Sequence, residues 1–158
     1  MEIYILRHGI AEDRKAGASD ADRALTDAGR ERLRAVLERA RAAGVKPSLI
    51  LTSPYKRALQ TAQIAGQALG CNKIVESEVL VPESSPKAVW DALGARRKEE
   101  ALLVAGHEPL LSMTAAYLLG VPALQIDLKK AALLRIDLES FSGPPRGILK
   151  WMLTPRLV

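Results

Sequence analysis

Apolar residues in this chain gather into short continuous runs, and the polar stretches between them carry apolar positions at helical spacing. Ile3-Tyr4-Ile5-Leu6, Leu49-Ile50-Leu51 and Ala101-Leu102-Leu103-Val104-Ala105 have strand length, and each ends in a turn or helix-start signal. A polar loop, Ala11 to Ala24, follows the first run. Thr26 then caps a helix from about Asp27 to Ala43, with Leu33, Val36, Leu37 and Ala40 as its apolar stripe, its arginines facing water and Gly44 ending it. After the second run, Ser53 reads as an N-cap with Pro54 at the first helical position. Ala58, Ala62, Ala65 and Leu69 line one face of that helix, and Gly70 stops it. Ile74-Val75 and Val79-Leu80-Val81 read as short extended segments, and Ser85-Pro86 starts a modest helix toward Leu93. An apolar helix from Leu110 to Leu119 follows the third run and ends at Gly120. Ala132–Ile136 and Ile148–Leu153 read as strands; the Gly143-Pro144-Pro145 turn divides them, so they can pair antiparallel. Strands alternating with helices predict an α/β fold with a mostly parallel sheet and at least one antiparallel strand.

A length of 158 residues fits one domain spanning 1–158 with room for a core. No repeat, low-complexity tract or internal boundary interrupts it. Hydrophobic content of 48% and charged content of 26% fit a soluble globular protein. Aromatics at 4% argue against a base-stacking nucleic-acid platform. A net charge of +5 favours anionic partners. Arg14-Lys15, Arg96-Arg97-Lys98 and Lys129-Lys130 read as solvated faces. Cys71 is the only cysteine, which excludes an intramolecular disulfide and is consistent with a reducing, cytoplasmic compartment. It reads as structural, because no arginine follows it as in a cysteine phosphatase loop. The chain is expected to carry neither a signal peptide nor a membrane span.

The strand exits concentrate the chemistry. Arg7-His8-Gly9 closes the first run, Thr52-Ser53 closes the second with Arg57 just beyond, and Gly106-His107-Glu108-Pro109 closes the third. The chain has two histidines, and both fall at such exits. In open α/β sheets the carboxyl edge of the strands is where ligands bind. Two distant histidines without a helical histidine pair or a cysteine cluster argue against a metal site. Asp20-Ala21-Asp22 follows Gly17-Ala18-Ser19 rather than an apolar strand, so it is a poor candidate for a nucleophilic aspartate. No glycine-rich phosphate loop ends in Lys-Ser or Lys-Thr.

Arg7-His8-Gly9, the block Thr52 to Ala62 and Gly106-His107-Glu108-Pro109 resemble the three signature blocks of the histidine phosphatase superfamily, which also contains the cofactor-dependent phosphoglycerate mutases. The short length and the ending Trp151-Met152-Leu153-Thr154-Pro155 resemble the SixA-type phosphohistidine phosphatases. The resemblance implies a three-layer α/β/α sandwich and a metal-independent phosphatase without a cofactor. His8 would be the nucleophile, forming a covalent phosphohistidine, with its other ring nitrogen protonated and donating to a fixed acceptor. Arg7 and Arg57 would clamp phosphoryl oxygens, and His107 would add a third donor, cationic when phosphate is bound. Thr52 or Ser53 is a further hydroxyl candidate.

Glu83, in Val81-Pro82-Glu83-Ser84-Ser85-Pro86, is the candidate general acid, but the surrounding pattern departs from the usual acid-bearing block. A solvated loop glutamate is the better reading. Imidazole leaves more readily than an alkoxide, so a site without a strong acid suits phosphohistidine on a protein partner. The alternatives are a small-molecule phosphomonoester phosphatase or mutase of the same fold, and a non-catalytic phosphate- or nucleic-acid-binding module. A chain this short leaves little for a lid. The expected site is a shallow open cleft, with Arg14 and Lys15 helping to steer acidic partners.

Overall fold

The computed structural model describes residues 1–158. Its strands are β1 (Glu2–Arg7), β2 (Leu49–Thr52), β3 (Ile74–Glu76), β4 (Ala101–Gly106), β5 (Leu133–Asp137) and β6 (Ile148–Leu153). Its helices are α1 (Asp27–Ala42), α2 (Lys56–Leu69), α3 (Pro86–Gly94) and α4 (Leu110–Leu118). Single 3-10 turns cover Asp20–Asp22, Glu78–Leu80 and Pro155–Leu157.

All six strands join one sheet in the order β3-β2-β4-β1-β5-β6. The first four in that order run parallel, and β5 and β6 run antiparallel to their neighbours. The apolar runs are continuous because the central strands are buried on both faces. Ile3, Ile5, Leu51, Leu102 and Val104 face one way and pack with Val89, Trp90 and Leu93 of α3 and Leu111 and Leu118 of α4. Tyr4, Leu6, Ile50 and Leu103 face the other way and meet Leu33, Val36 and Leu37 of α1 and Ala62, Ala65 and Leu69 of α2. The result is the three-layer α/β/α arrangement.

Helix ends follow the sequence. The Thr26 hydroxyl accepts from Gly29 N at 2.9 Å, and Ser85 caps α3 by accepting from Ala88 N at 3.2 Å. Gly70 ends α2 at φ +72°, a conformation that favours glycine. Gly29 has a different reason: a Cβ there would lie 2.3 Å from the Ile10 carbonyl oxygen. Only glycine lets the start of α1 press against the loop leaving β1.

Two local readings change. Ser53-Pro54 does not start α2. Ser53 N still donates to Ala105 O at 3.0 Å, so this residue continues the β2 ladder and the helix begins after Tyr55. Val79-Leu80 is not extended. Ser77 N donates to Thr52 O at 2.8 Å, and the chain then turns through Glu78–Leu80 to bury the Leu80 side chain. Cys71 is buried in the core beside α2, as a structural residue would be.

Candidate active site

Strand order and register assemble the site. β4 lies between β2 and β1. Arg7 pairs with Gly106 and Thr52 with Ala105, so His8, His107 and Ser53 leave three adjacent parallel strands at one level. The His8 and His107 ring centroids are 5.2 Å apart. Arg57, in the first turn of α2, reaches back to the same edge.

The His8 ring is held in one tautomer. Its Nδ1 lies 2.7 Å from Gly9 O, so Nδ1 carries the proton and donates to the carbonyl. Its Nε2 then bears the lone pair and accepts from Arg57 Nε at 3.3 Å. Thr61, one turn along α2, ties this geometry together. Its hydroxyl donates to Arg57 O at 2.7 Å and accepts from Gly9 N at 3.1 Å. His107 Nε2 is 2.8 Å from Ser53 Oγ, and its Nδ1 is buried with no protein partner. Tyr55 meets the His107 ring edge-on at 5.1 Å and lies under the Arg57 guanidinium at 5.2 Å. Arg7 donates through Nη1 to Leu128 O at 2.8 Å, while its buried Nε has no protein partner.

Burial and positive charge act together on the rings. Desolvation pushes His8 down to about 4, with Arg57, Arg7 and Lys130 adding to the fall against the opposing pull of the Gly9 carbonyl. Desolvation, then Arg57 and His8, push His107 down to about 3. Both rings are neutral at pH 7. An unprotonated imidazole nitrogen flanked by guanidinium groups can attack an electrophile whose oxygens those groups neutralise. No group of three or more His, Cys, Asp or Glu side chains is placed to hold a metal ion.

Arg7, His8, Arg57 and His107 are thus brought together. The surroundings differ from the open cleft expected from sequence. His8 is 7% exposed, Arg57 5% and His107 1%. Asp20, in the loop after β1, lies on Arg57: its Oδ2 accepts from Nη2 at 3.0 Å, and its carbonyl accepts from Nη1 at 2.8 Å. Lys15 lines a depression with Glu12, Asp13 and Asp22, so that loop presents mixed charge rather than a positive patch. Glu83 is exposed and makes no side-chain hydrogen bond or ion pair. Sequence reasoning missed Asp20, Thr61 and the Ser53–His107 bond. The one available signal was the position of Thr61 one helical turn after Arg57.

The profile of the histidine phosphatase superfamily (branch 1) matches residues 3–80, which include the His8 and Arg57 blocks. The chain belongs to the histidine phosphatase superfamily. An uncharacterised protein of Picosynechococcus sp. (strain ATCC 27264 / PCC 7002 / PR-6) is 38% identical over 138 residues, covering 85% of this chain and 83% of the relative. Among solved structures, the protein histidine phosphatase SixA complexed with tungstate superposes with a TM-score of 0.85 at 26% identity, covering 99% of this chain and 98% of that one. The α-ribazole phosphatase of Shigella flexneri shares the fold at a TM-score of 0.75 and 16% identity, covering 98% of this chain and 97% of that one. A histidine phosphatase fold thus accounts for the whole length described here.

Proposed function

We propose that this phosphatase removes the phosphoryl group from phosphohistidine on a protein partner, through a phosphohistidine formed on His8 and without a metal ion. The observation that carries the reading is the fixed tautomer of His8. The Gly9 carbonyl takes the Nδ1 proton, which leaves Nε2 unprotonated beside Arg57. Similarity to a SixA histidine phosphatase supports the substrate class.

In the first step the Nε2 lone pair forms a bond to phosphorus as the P–N bond to the substrate imidazole breaks. The leaving ring keeps the proton on its other nitrogen and departs neutral. In the second step water forms a P–O bond, the P–N bond to His8 breaks and a proton is released, giving inorganic phosphate. Arg7, Arg57 and His107 supply the donors that neutralise the equatorial oxygens. Neither Glu83 nor Asp20 is held as a proton donor for an alkoxide. Glu83 is exposed and no hydrogen bond or ion pair fixes its side chain, and Asp20, held below the usual carboxylate range by hydrogen bonds from Arg23 and Arg57, is ionised at neutral pH. That favours a leaving group needing no enzyme acid.

The burial of His8 favours the second reading, a small phosphomonoester that enters past the Asp20 loop. Leaving-group dependence separates the two. Under the proposal, phosphohistidine and phosphoramidate turn over far faster than alkyl phosphates, aryl phosphates lie between, Glu83→Gln changes little, and chelators have no effect. Alkyl phosphates as the best substrates, or a loss of about two orders of magnitude in Glu83→Gln, would establish the small-ester reading instead.

A further inference from the structure

Beside the phosphoryl site lies a cavity of about 510 Å³ walled by Arg7, Arg32, Lys129, Lys130 and Arg156, and no carboxylate lines it. Four parts of the chain build it: the end of β1, α1, the turn before β5 and the C-terminal 3-10 turn. Of these cations only Lys129 has an ion-pair partner, Asp127 at 2.8 Å on the exposed surface. Like charges facing one concavity repel each other and focus a positive potential into it. An anionic occupant reverses that cost.

The cavity is tied to the site by backbone. Ala131 N donates to Arg7 O at 3.2 Å and to His8 O at 3.1 Å, and Ala132 N donates to Lys129 O at 2.9 Å. Ala131 holds φ +62°, a left-handed conformation unfavourable for a residue with a Cβ. This contact fixes where the two lysines stand relative to the His8 ring. Arg7 borders both spaces, so an anion in the cavity sits next to a phosphoryl group on His8. The heads of Arg32, Lys129, Lys130 and Arg156 are exposed rather than enclosed. That suits several carboxylates on the surface of another protein better than one enclosed phosphate.

We infer that this cavity receives acidic side chains flanking the phosphohistidine of the protein substrate, and so selects partners and sets their register over His8. The inference rests on the phosphohistidine reading above. Two synthetic phosphohistidine peptides test it, one with glutamates on both sides of the phosphohistidine and one with glutamines there. The expected result is a kcat/KM for the glutamate peptide about tenfold or more above that for the glutamine peptide, falling as salt rises. In the Arg32→Gln/Lys130→Gln double variant the ratio between the peptides collapses toward one. Because the ratio is taken within one preparation, partial misfolding of the variant does not mimic it. Equal turnover of the two peptides by the unaltered protein overturns the inference alone. No turnover of either overturns the phosphohistidine reading and this inference with it. A preference that survives in the double variant, or inhibition by pyrophosphate that the variant loses while the peptides are treated alike, shows that the cavity does not read an acidic partner.

Discussion

Arg57 places its Nε–H on Nε2 of His8 across 3.3 Å, the nitrogen that attacks phosphorus in the proposed mechanism. The same guanidinium gives its two remaining nitrogens to Asp20. Three of the five N–H donors of this arginine are therefore occupied within the protein, one on each nitrogen. The second N–H on each Nη is left for a phosphoryl oxygen, while His8 Nε2 and the Asp20 carboxylate compete with an incoming anion for the same fork.

If His8 is the nucleophile, His8→Ala lowers turnover of phosphohistidine by on the order of 10⁴-fold or more, as removal of a nucleophile does elsewhere. Incubation of the unaltered protein with phosphoramidate leaves an acid-labile, base-stable phosphoryl group that mass spectrometry locates on His8. Thermal unfolding of the variant stays cooperative, because the ring sits at a strand exit. Full turnover in the variant refutes the assignment.

Asp20→Asn removes a competitor for the Arg57 fork. Inorganic phosphate and vanadate bind more tightly by roughly five- to tenfold, since a charged acceptor beside an anion site opposes the anion. Global stability changes by about 1 kcal/mol or less, because the Asp20 side chain is 40% exposed and a partly solvated pair contributes little. Inhibition constants for the two anions provide the measurement. Unchanged or weaker inhibition means that Asp20 organises the site rather than competing in it.

The histidines make the fold acid-sensitive. Both have folded pKa values below their unfolded value of about 6.5, so the unfolded chain binds more protons across the acid range. Their contribution is complete above that unfolded value. It is lost as pH falls through about 4 for His8 and about 3 for His107. Each adds a slope of up to about 1.4 kcal/mol per pH unit within its own window. Urea unfolding between about pH 6.5 and about pH 4 tracks the loss, and His107→Asn flattens it. Anion binding works in the opposite sense, since an oxyanion next to His107 favours its cation. Calorimetry of phosphate binding in buffers of different ionisation enthalpy then reports proton uptake, and no uptake contradicts a cationic His107 in the bound state.

Ala131 tests the tether between the lysine turn and the His8 strand. Ala131→Gly is tolerated, since glycine adopts the φ of +62° without penalty. Ala131→Val puts a β-branched side chain at a positive φ in a position 1% exposed, and costs about 3 kcal/mol or more. Thermal and denaturant unfolding of the pair measure the difference. A valine variant as stable as the glycine variant removes the case for a rigid tether.

The strands, most of the helices and the four candidate residues that the fold brings together are legible in sequence because each rests on local signals. Apolar runs mark the strands, Thr26, Gly70 and Ser85 mark helix ends, and Arg7, His8 and His107 sit directly at run ends. Ser53 misled because Ser-Pro is a helix-start signal. Here the register with Ala105 keeps Ser53 in the sheet, where its hydroxyl meets His107. Asp20 is discounted as a nucleophile from sequence and given no other role, because nothing local shows that its loop folds back onto α2. The basic cavity was hidden for a similar reason. Arg32, Lys130 and Arg156 are separated by most of the chain, and each looks like an ordinary solvated cation where it stands.

The position of β1 in the sheet also governs how the protein is made. This strand precedes the other five along the chain, yet its partners are β4 and β5, with Glu2 opposite Ala101 on one side and Asp137 on the other. Its buried apolar face and both rows of hydrogen-bonding groups wait for segments that emerge much later. Such long-range pairing delays folding, because loop closure precedes any gain from the contact. Until β4 is available, His8, the proposed nucleophile, sits at the end of an unpaired, aggregation-prone strand. A nascent chain interrupted before that point has no site to complete and a hydrophobic edge to shield.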